Sequence, residues 1–170
     1  MLVANHVTYA DSLILAGLLD RPPRFLVYHR LHDQPGLRWF FELVQAIPIA
    51  SRREDPARLE AAMCEAVEAL RAGDLLGVFP EGQLTRSGEI GAFRQGLEQI
   101  LDQAPAPVVP IALRGLWGSA LSHAAGPPLS RPPGLRRRSV QIEFGAPLPS
   151  RGLTASDLEA VVRRMRGEAR

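Results

Sequence analysis

The chain alternates between short apolar runs and longer segments in which apolar residues recur at helical spacing. The short runs predict strands at residues 2–4, 25–28, 46–49, 75–79, 108–113 and 140–144. The periodic segments predict helices at about residues 9–19, 37–44, 56–73 and 93–101, and a last helix that begins near residue 156. This alternation is typical of an α/β fold, so we predict one domain over residues 1–170, with a mostly parallel central sheet flanked by helices.

Two predicted helices carry recognisable start signals. Asp55 followed by Pro56 indicates an N-cap with proline at the first helical position. Ser156 with Glu159 matches a capping box at the start of the last helix. The apolar run at residues 108–113 has no polar alternation, which predicts a strand whose two faces are both covered.

Composition restricts the compartment and the kind of membrane contact. Hydrophobic residues make up 46% and charged residues 22% of the chain, which excludes a disordered protein. The single cysteine, Cys64, excludes an internal disulfide and a cysteine-based metal cluster, and it favours a reducing compartment. No apolar run approaches the roughly 18 to 20 residues that cross a bilayer, and no secretory signal is visible. We therefore expect a cytoplasmic location with peripheral contact on the inner face of the cytoplasmic membrane.

All 20 basic residues are arginines, and the formal net charge is only +2. This charge is too small to require a nucleic acid as partner. Arginine usage follows from a GC-rich genome, and it also suits bidentate phosphate contacts. Part of the positive charge is concentrated late in the chain, at Arg136, Arg137, Arg138, Arg163, Arg164, Arg166 and Arg170. This patch either meets anionic lipid headgroups or forms a solvated tail.

The stretch NHVTYAD, residues 5–11, places a histidine where the first strand ends and the first helix begins. Asp11 can return across this turn to hold one ring nitrogen of His6, and a histidine held in this way can take a proton from an alcohol. No serine or cysteine stands in a nucleophile elbow such as GxSxG, so the substrate's own hydroxyl is the expected nucleophile. Taken alone, the pair also fits a capping aspartate beside a structural histidine.

A second polar segment, VFPEGQLTRSG at residues 78–88, follows a predicted buried strand. It places Glu81 and Gly82 at the carboxyl end of that strand, where α/β proteins build their sites. The two segments together predict one site at this edge of the sheet.

Four blocks in order resemble the glycerophospholipid acyltransferases, the family of bacterial 1-acylglycerol-3-phosphate acyltransferases. NHVTYAD resembles the NHxxxxD signature of this family, and FPEGQLTR resembles its FPEG signature. AIPIASR, residues 46–52, is similar to the intermediate arginine-bearing block, and VVPIAL, residues 108–113, to the fourth, proline-containing block. The resemblance implies a glycerol-3-phosphate acyltransferase-like fold.

The resemblance also implies a role for each matching residue. His6 is the general base on the glycerol hydroxyl, and Asp11 is the carboxylate that orients it. The residues implied in shaping the acceptor site, or in binding the acceptor and its phosphate, are Glu81, Gly82, Thr85, Arg86, Arg52 and Arg53. Arg52 and Arg53 compete for one role, because this block reads SRR where an acidic residue before one arginine is common in the family.

The implied reaction is acyl transfer from an acyl-CoA or acyl carrier protein thioester to the free hydroxyl of 1-acylglycerol-3-phosphate. It takes place at a membrane surface and requires no metal and no other cofactor. The alternatives are another lysophospholipid or an amine-containing lipid as acceptor, or a non-catalytic lipid-surface module.

Family members place a strand and membrane-associated helices before the histidine, so His6 predicts that N-terminal elements are lacking. IPIASRRED and ALRGLWGS also look like acyltransferase domains fused behind transporter-like membrane segments.

Several other residues leave alternatives open. His29 and His32 lie beside an aspartate, but a metal site lacks a third well-placed ligand. Trp117 either packs in the core or dips into a lipid interface. Residues 94–96 either border the acceptor site or form a solvated helix start. Backbone amides at the helix start after His6 are candidates for stabilising an oxyanion.

Overall fold

A six-stranded sheet forms the centre of the computed structural model, which describes residues 1–124, 126–128, 130 and 139–168. The strands are β1 Leu2–Ala4, β2 Arg24–Tyr28, β3 Ile47–Ile49, β4 Leu76–Val78, β5 Val109–Arg114 and β6 Gln141–Phe144. Their order across the sheet is β3-β2-β4-β1-β5-β6. The first five strands pair in parallel, and β6 pairs antiparallel with β5 at one edge. The predicted α/β fold with a mostly parallel sheet is confirmed.

Six helices connect and cover these strands in the described part of the chain. They are α1 Asp11–Leu18, α2 His29–His32, α3 Arg38–Leu43, α4 Pro56–Arg71, α5 Gly96–Gln103 and α6 Ala155–Arg166. The sequence did not predict the single turn of α2. The start of α5 was placed three residues too early, because the Phe93 and Arg94 amides bond to Glu159 and to the Pro80 carbonyl instead of entering a helix.

The two predicted helix starts have different outcomes. Asp55 caps α4 as predicted, and its side chain accepts a hydrogen bond of 2.9 Å from the Arg58 amide. The capping box of α6 was placed wrongly. It is formed by Thr154 and Asp157, two residues before the predicted pair of Ser156 and Glu159. The physical reason is that α6 begins at Ala155, whose amide bonds to Glu98 of α5, so that Thr154 takes the N-cap position.

The hydrophobic core lies on both faces of the sheet. Alternate residues of β1 point to opposite faces, so Val3 joins one cluster while Leu2 and Ala4 join the other. The first cluster packs under α4, α5 and α6, and the second packs against α1. Trp117 is partly buried against the second cluster, as the core reading predicts.

The apolar face of α3 is left largely uncovered. No residue of this helix is buried, and the side chains of Trp39 and Leu43 are 64% and 72% exposed. None of the helices described is long and apolar enough to pass through a bilayer.

The predicted basic patch is corrected by the structure. Arg163 and Arg166 turn towards the body of the protein and bond to the loop that follows β4. Arg164 is exposed on α6. Arg136, Arg137, Arg138 and Arg170 lie outside the described residues.

Candidate active site

The site is built at the carboxyl ends of two neighbouring parallel strands. β1 and β4 pair with Leu2 opposite Gly77 and Val3 opposite Val78. His6 follows the end of β1 by two residues, and Glu81 follows the end of β4 by three. Both therefore reach the same edge of the sheet, where parallel α/β folds place their ligands.

The turn between β1 and α1 brings Asp11 back to His6. Nδ1 of the histidine lies 2.9 Å from Oδ2 of the aspartate, whose side chain is fully buried. The same carboxylate accepts hydrogen bonds from the Val7 amide at 2.6 Å, the Thr8 amide at 2.9 Å and the Thr8 hydroxyl at 2.5 Å. An ionised carboxylate only accepts, so Nδ1 of His6 carries the hydrogen and Nε2 is left with a lone pair. This is the tautomer that a general base requires.

Phe79 fixes the plane of the imidazole. Its ring stacks on His6 with the centroids 4.1 Å apart and an angle of 13° between the planes. The ring is thus held between Asp11 and Phe79. The His6 side chain remains 20% exposed, so part of it meets solvent. Sequence reasoning assigned no role to Phe79 or Thr8, although both stand inside the two motifs.

Asn5 ties the end of β1 to β5. Its side chain accepts a hydrogen bond of 2.8 Å from the Leu113 amide and donates one of 3.1 Å to the Leu113 carbonyl. The side chain is almost fully buried, and it pairs with β5 as a peptide unit would. The asparagine therefore fixes the position from which the chain turns towards His6.

Glu81 connects the histidine segment to the loop after β4. Its Oε1 accepts a hydrogen bond of 2.7 Å from the His6 amide, and its Oε2 accepts one of 2.7 Å from the Gly91 amide. Burial raises the pKa of this carboxyl, and the two amides and the nearby cationic groups oppose the rise. Because both oxygens bond to the main chain, Glu81 shapes the site by positioning backbone.

Glu81→Gln is expected to change stability with a sign that follows from the raised pKa. A carboxyl with a higher pKa in the folded chain contributes stability that is fully present below its unfolded pKa and is lost as the pH rises through the folded pKa. The unfolding free energy of the unsubstituted protein minus that of Glu81→Gln should therefore decrease as the pH rises from about 4 to about 7. Urea unfolding at a series of pH values measures both proteins, and the other titrating groups cancel in the difference. A difference that stays constant or increases would contradict the raised pKa.

Gly82 makes room for Arg94. The glycine has a φ of +67°, and a Cβ there would lie 2.8 Å from the guanidinium carbon of Arg94. The Arg94 amide also bonds to the Pro80 carbonyl at 2.9 Å. Its guanidinium has no hydrogen-bond partner among the described residues, so a cation lies against the glycine of the FPEG segment. Arg94 and Gln95 are exposed, so a place at the border of the site and a solvated helix start both agree with the structure.

Thr85 and Arg86 belong to the loop of residues 83–91, which we call the acceptor loop. The Thr85 amide bonds to the His6 carbonyl at 3.0 Å. The Thr85 hydroxyl donates to the Glu89 carbonyl at 2.6 Å and accepts from the Gly88 amide at 3.1 Å. Its one proton is thus engaged within the loop, and Thr85 organises the loop in place of the predicted donation to an acceptor.

Arg86 is exposed and has no hydrogen-bond or ion-pair partner in the part of the chain that the structure describes. It lines a cleft of ≈ 240 Å³ whose other walls are Glu81, Gln83, Thr85, Ser87, Glu89, Ile90 and Gly91. An unpaired guanidinium one residue from the contact with His6 is well placed to bind an anionic substrate group.

Arg52 and Arg53 lie farther along the same edge of the sheet. They follow β3, which is separated from β1 by β2 and β4. Three strand spacings correspond to roughly 14 Å. Both side chains are exposed, whereas the following Glu54 is fixed by the Tyr28 hydroxyl at 2.9 Å and by Arg30 at 2.6 Å. The structure therefore brings Asp11, Glu81, Gly82, Thr85 and Arg86 to the His6 segment, and it leaves this arginine pair at a distance.

Two other predictions concerned a metal and an oxyanion. His29 lies 3.3 Å from Glu54 and His32 lies 2.9 Å from Asp33, and no group of three metal ligands occurs within residues 1–124, 126–128, 130 and 139–168. The backbone amides proposed to stabilise an oxyanion are largely engaged. Those of residues 6, 7, 8, 10 and 11 all donate within the protein.

Comparisons with known proteins identify the family and the fold. A family model described as Acyltransferase matches residues 1–114. The chain is 29% identical over 124 residues to a protein of Mycoplasma pneumoniae named probable 1-acyl-sn-glycerol-3-phosphate acyltransferase, covering 69% of this chain and 45% of that protein. It is 23% identical over 116 residues to a 1-acyl-sn-glycerol-3-phosphate acyltransferase of Bacillus subtilis, covering 68% of this chain and 55% of that protein. The chain thus spans about half the length of these relatives.

A solved structure shares the fold. The 1-acyl-sn-glycerophosphate (LPA) acyltransferase PlsC from Thermotoga maritima matches with a TM-score of 0.72 and 22% sequence identity. The match covers 97% of this chain and 64% of that chain. The likeness therefore extends beyond residues 1–114 to the last strand and helix.

Proposed function

The chain belongs to the Acyltransferase family, and from this premise we propose that it transfers a fatty acyl group from a thioester donor to the free hydroxyl of 1-acylglycerol-3-phosphate. The family resemblance drawn from the four sequence blocks is thereby confirmed. The observation that carries the proposal is the pair of His6 and Asp11, with Nδ1 bound to a buried carboxylate. The donor is acyl-CoA or acyl carrier protein, and the product enters phospholipid synthesis.

The proposed reaction uses the lone pair on Nε2 of His6. This nitrogen takes the proton of the acceptor hydroxyl as the oxygen attacks the thioester carbonyl carbon, and a tetrahedral oxyanion forms. The C–S bond then breaks, and the imidazolium returns the proton to the departing thiolate. Asp11 stabilises the imidazolium between these steps. Holding hydroxyl and thioester together supplies roughly 7 to 11 kcal/mol in the most favourable geometry.

Two unpaired arginines support an acceptor with a free phosphate. Arg86 lies on the acceptor loop, four residues after Gly82, and Arg94 lies against Gly82. A phosphate monoester carries more negative charge than the diester of other lysophospholipids, so two guanidinium groups favour it more strongly. Arg52 and Arg53 remain candidates for a contact farther along the acceptor.

A peripheral position on the inner face of the cytoplasmic membrane completes the proposal. Large apolar side chains are exposed on two helices, at Leu13 and Leu18 of α1 and at Leu37, Trp39 and Leu43 in and before α3. Such side chains can enter the boundary between headgroups and acyl chains, where the acceptor lipid resides.

The direct test is turnover by the purified protein. Lysophosphatidate in detergent is supplied with acyl-CoA or with acyl carrier protein thioester, and formation of phosphatidate is measured. We expect turnover with at least one donor and a preference for lysophosphatidate over zwitterionic lysolipids and monoacylglycerol. Preference for a zwitterionic acceptor would replace the acceptor in the proposal. Vesicle binding without turnover on either donor would favour a non-catalytic lipid-surface module.

Arg86→Met is expected to reduce kcat/KM for lysophosphatidate by about 10- to 100-fold, the usual effect of losing a hydrogen bond to a charged group. Turnover of monoacylglycerol, which has no phosphate, should change little. Arg151→Met is the matched control, because Arg151 is exposed in the turn before α6. The same substitution at Arg52 and at Arg53 decides between those two residues. An equal loss with both acceptors would contradict a phosphate-binding role for Arg86.

A further inference from the structure

The last turns of α6 hold the middle of the acceptor loop. Arg166 donates from Nη1 to the Gly88 carbonyl at 2.8 Å and from Nη2 to Oε2 of Glu89 at 2.6 Å. This arginine is only 7% exposed. Its main-chain carbonyl accepts a hydrogen bond of 2.8 Å from Nε of Arg114 on β5, which fixes the end of the helix to the sheet.

Arg163 and Glu159 extend the same contact. Arg163 donates from Nη2 to the Ile90 carbonyl and from Nε to Glu159 at 2.8 Å. The other oxygen of Glu159 accepts a hydrogen bond of 2.9 Å from the Phe93 amide. One face of α6 therefore binds the chain at positions 88, 89, 90 and 93.

Two other residues of the acceptor loop bond to the segments that carry His6 and Glu81. The Thr85 amide reaches the His6 carbonyl, and the Gly91 amide reaches the carboxylate of Glu81. Arg86 lies between these two contacts and has no bond of its own to the described residues. The backbone position from which its side chain extends is therefore set by the loop, and the loop is bonded to α6 and to Glu81.

Burial of the charged Arg166 side chain costs free energy. It buries a cation whose Nε–H has no hydrogen-bond partner among the described residues. Well-packed apolar residues often stabilise as much as a buried ion pair or more, whereas a buried ionic group can fix one geometry. Arginine can do so because its planar group bonds a carbonyl and a carboxylate at once, which a lysine ammonium does less well.

We propose that Arg166 is a positioning residue for the acceptor site, which holds Gly88 and Glu89 so that Arg86 meets the phosphate of the acceptor. This inference rests on the proposed function and deepens it. Helix α6 lies beyond residues 1–114, the part that the family model matches. The acceptor contact is thus built partly by the C-terminal helix.

The kinetic test compares Arg166→Met with Arg164→Met, a control on the exposed side of the same helix. Arg166→Met should raise KM for lysophosphatidate about tenfold or more, with KM for the thioester donor unchanged. The KM of Arg166→Lys for lysophosphatidate should lie between the values of Arg164→Met and Arg166→Met. In a double variant with Arg86→Met, the two effects should be less than additive, because both act on the same contact. Equal changes in both KM values, or additive effects, would overturn the proposal.

A second measurement does not depend on turnover. Hydrogen exchange at the amides of Thr85, Gly88 and Gly91 should be faster in Arg166→Met, while exchange in β1 and β5 stays as in the unsubstituted protein. If Arg166→Met does not fold, Glu89→Gln removes the negative charge that pairs with Nη2 and should give a smaller change in the same direction. Unchanged exchange in the acceptor loop would refute the positioning role. An unsubstituted protein without turnover, but with faster loop exchange in the variant, would instead refute only the proposed function.

Discussion

His6→Ala is expected to reduce turnover by at least about 100-fold, the lower range for removal of a general base. The loss should come from chemistry and not from the fold. The one hydrogen bond described for the His6 side chain is to Asp11, and in the variant that carboxylate keeps the amides of Val7 and Thr8 and the Thr8 hydroxyl. The substrate-binding groups also remain, so KM for lysophosphatidate should change much less than kcat.

The measurement is kcat with lysophosphatidate under saturating donor, together with urea unfolding of the same preparation. His123→Ala is the matched control, because His123 stands in none of the four sequence blocks. Wild-type-like turnover of His6→Ala would remove the mechanism. If the activity of His6→Ala decreases only in proportion to the fraction of folded protein, His6 has a structural role.

Asp11→Asn is expected to cause a loss of similar size, about 100-fold or more, with little change in stability. The remaining oxygen can stay opposite the amides of Val7 and Thr8, and the new amide group faces the Thr8 hydroxyl, which can turn to accept. The side chain therefore keeps its place and its shape. What disappears is the negative charge that stabilises the imidazolium of His6 after it has taken the proton.

Asp11→Ala separates this electrostatic role from a structural one. It leaves two buried amides without their acceptor, at a cost of about 1 to 3 kcal/mol for each. We expect Asp11→Ala to lower the unfolding free energy clearly and Asp11→Asn to lower it little, while both lose activity. Asp20→Asn, at an exposed position after α1, is the control. Normal turnover in Asp11→Asn would show that the carboxylate serves only to fold the turn.

The pairing of His6 with Asp11 was predictable because its geometry is local. Five positions separate His6 from Asp11, and the change from strand to helix between them is visible in the apolar pattern. The meeting of this segment with Glu81 also followed from sequence, since the carboxyl ends of parallel strands share one edge. The cap of α4 was predicted for the same reason, because Asp55 bonds within its own turn.

What the sequence did not reveal depends on distant contacts. Two capping signals overlap at the start of α6, one at Thr154 and one at Ser156. Thr154 takes the N-cap position because the Ala155 amide bonds to Glu98, which lies 57 residues away. Arg166 looked like part of a basic surface because its neighbours are charged, yet its partner Gly88 is 78 residues earlier in the chain. A run of charged residues in a sequence indicates solvent exposure only when no distant acceptor forms a hydrogen bond with the side chain.

The bidentate carboxylate of Glu81 has a consequence for altering specificity. One oxygen of this side chain accepts a hydrogen bond from the His6 amide, and the other accepts one from the Gly91 amide at the end of the acceptor loop. Under the proposed function, redesign of residues 83–91 for a different lipid should therefore also change the position of the His6 imidazole. Libraries that vary this loop would recover more active enzymes if they kept the backbone path at Gly91 and placed new chemistry at Gln83, Arg86 and Ser87.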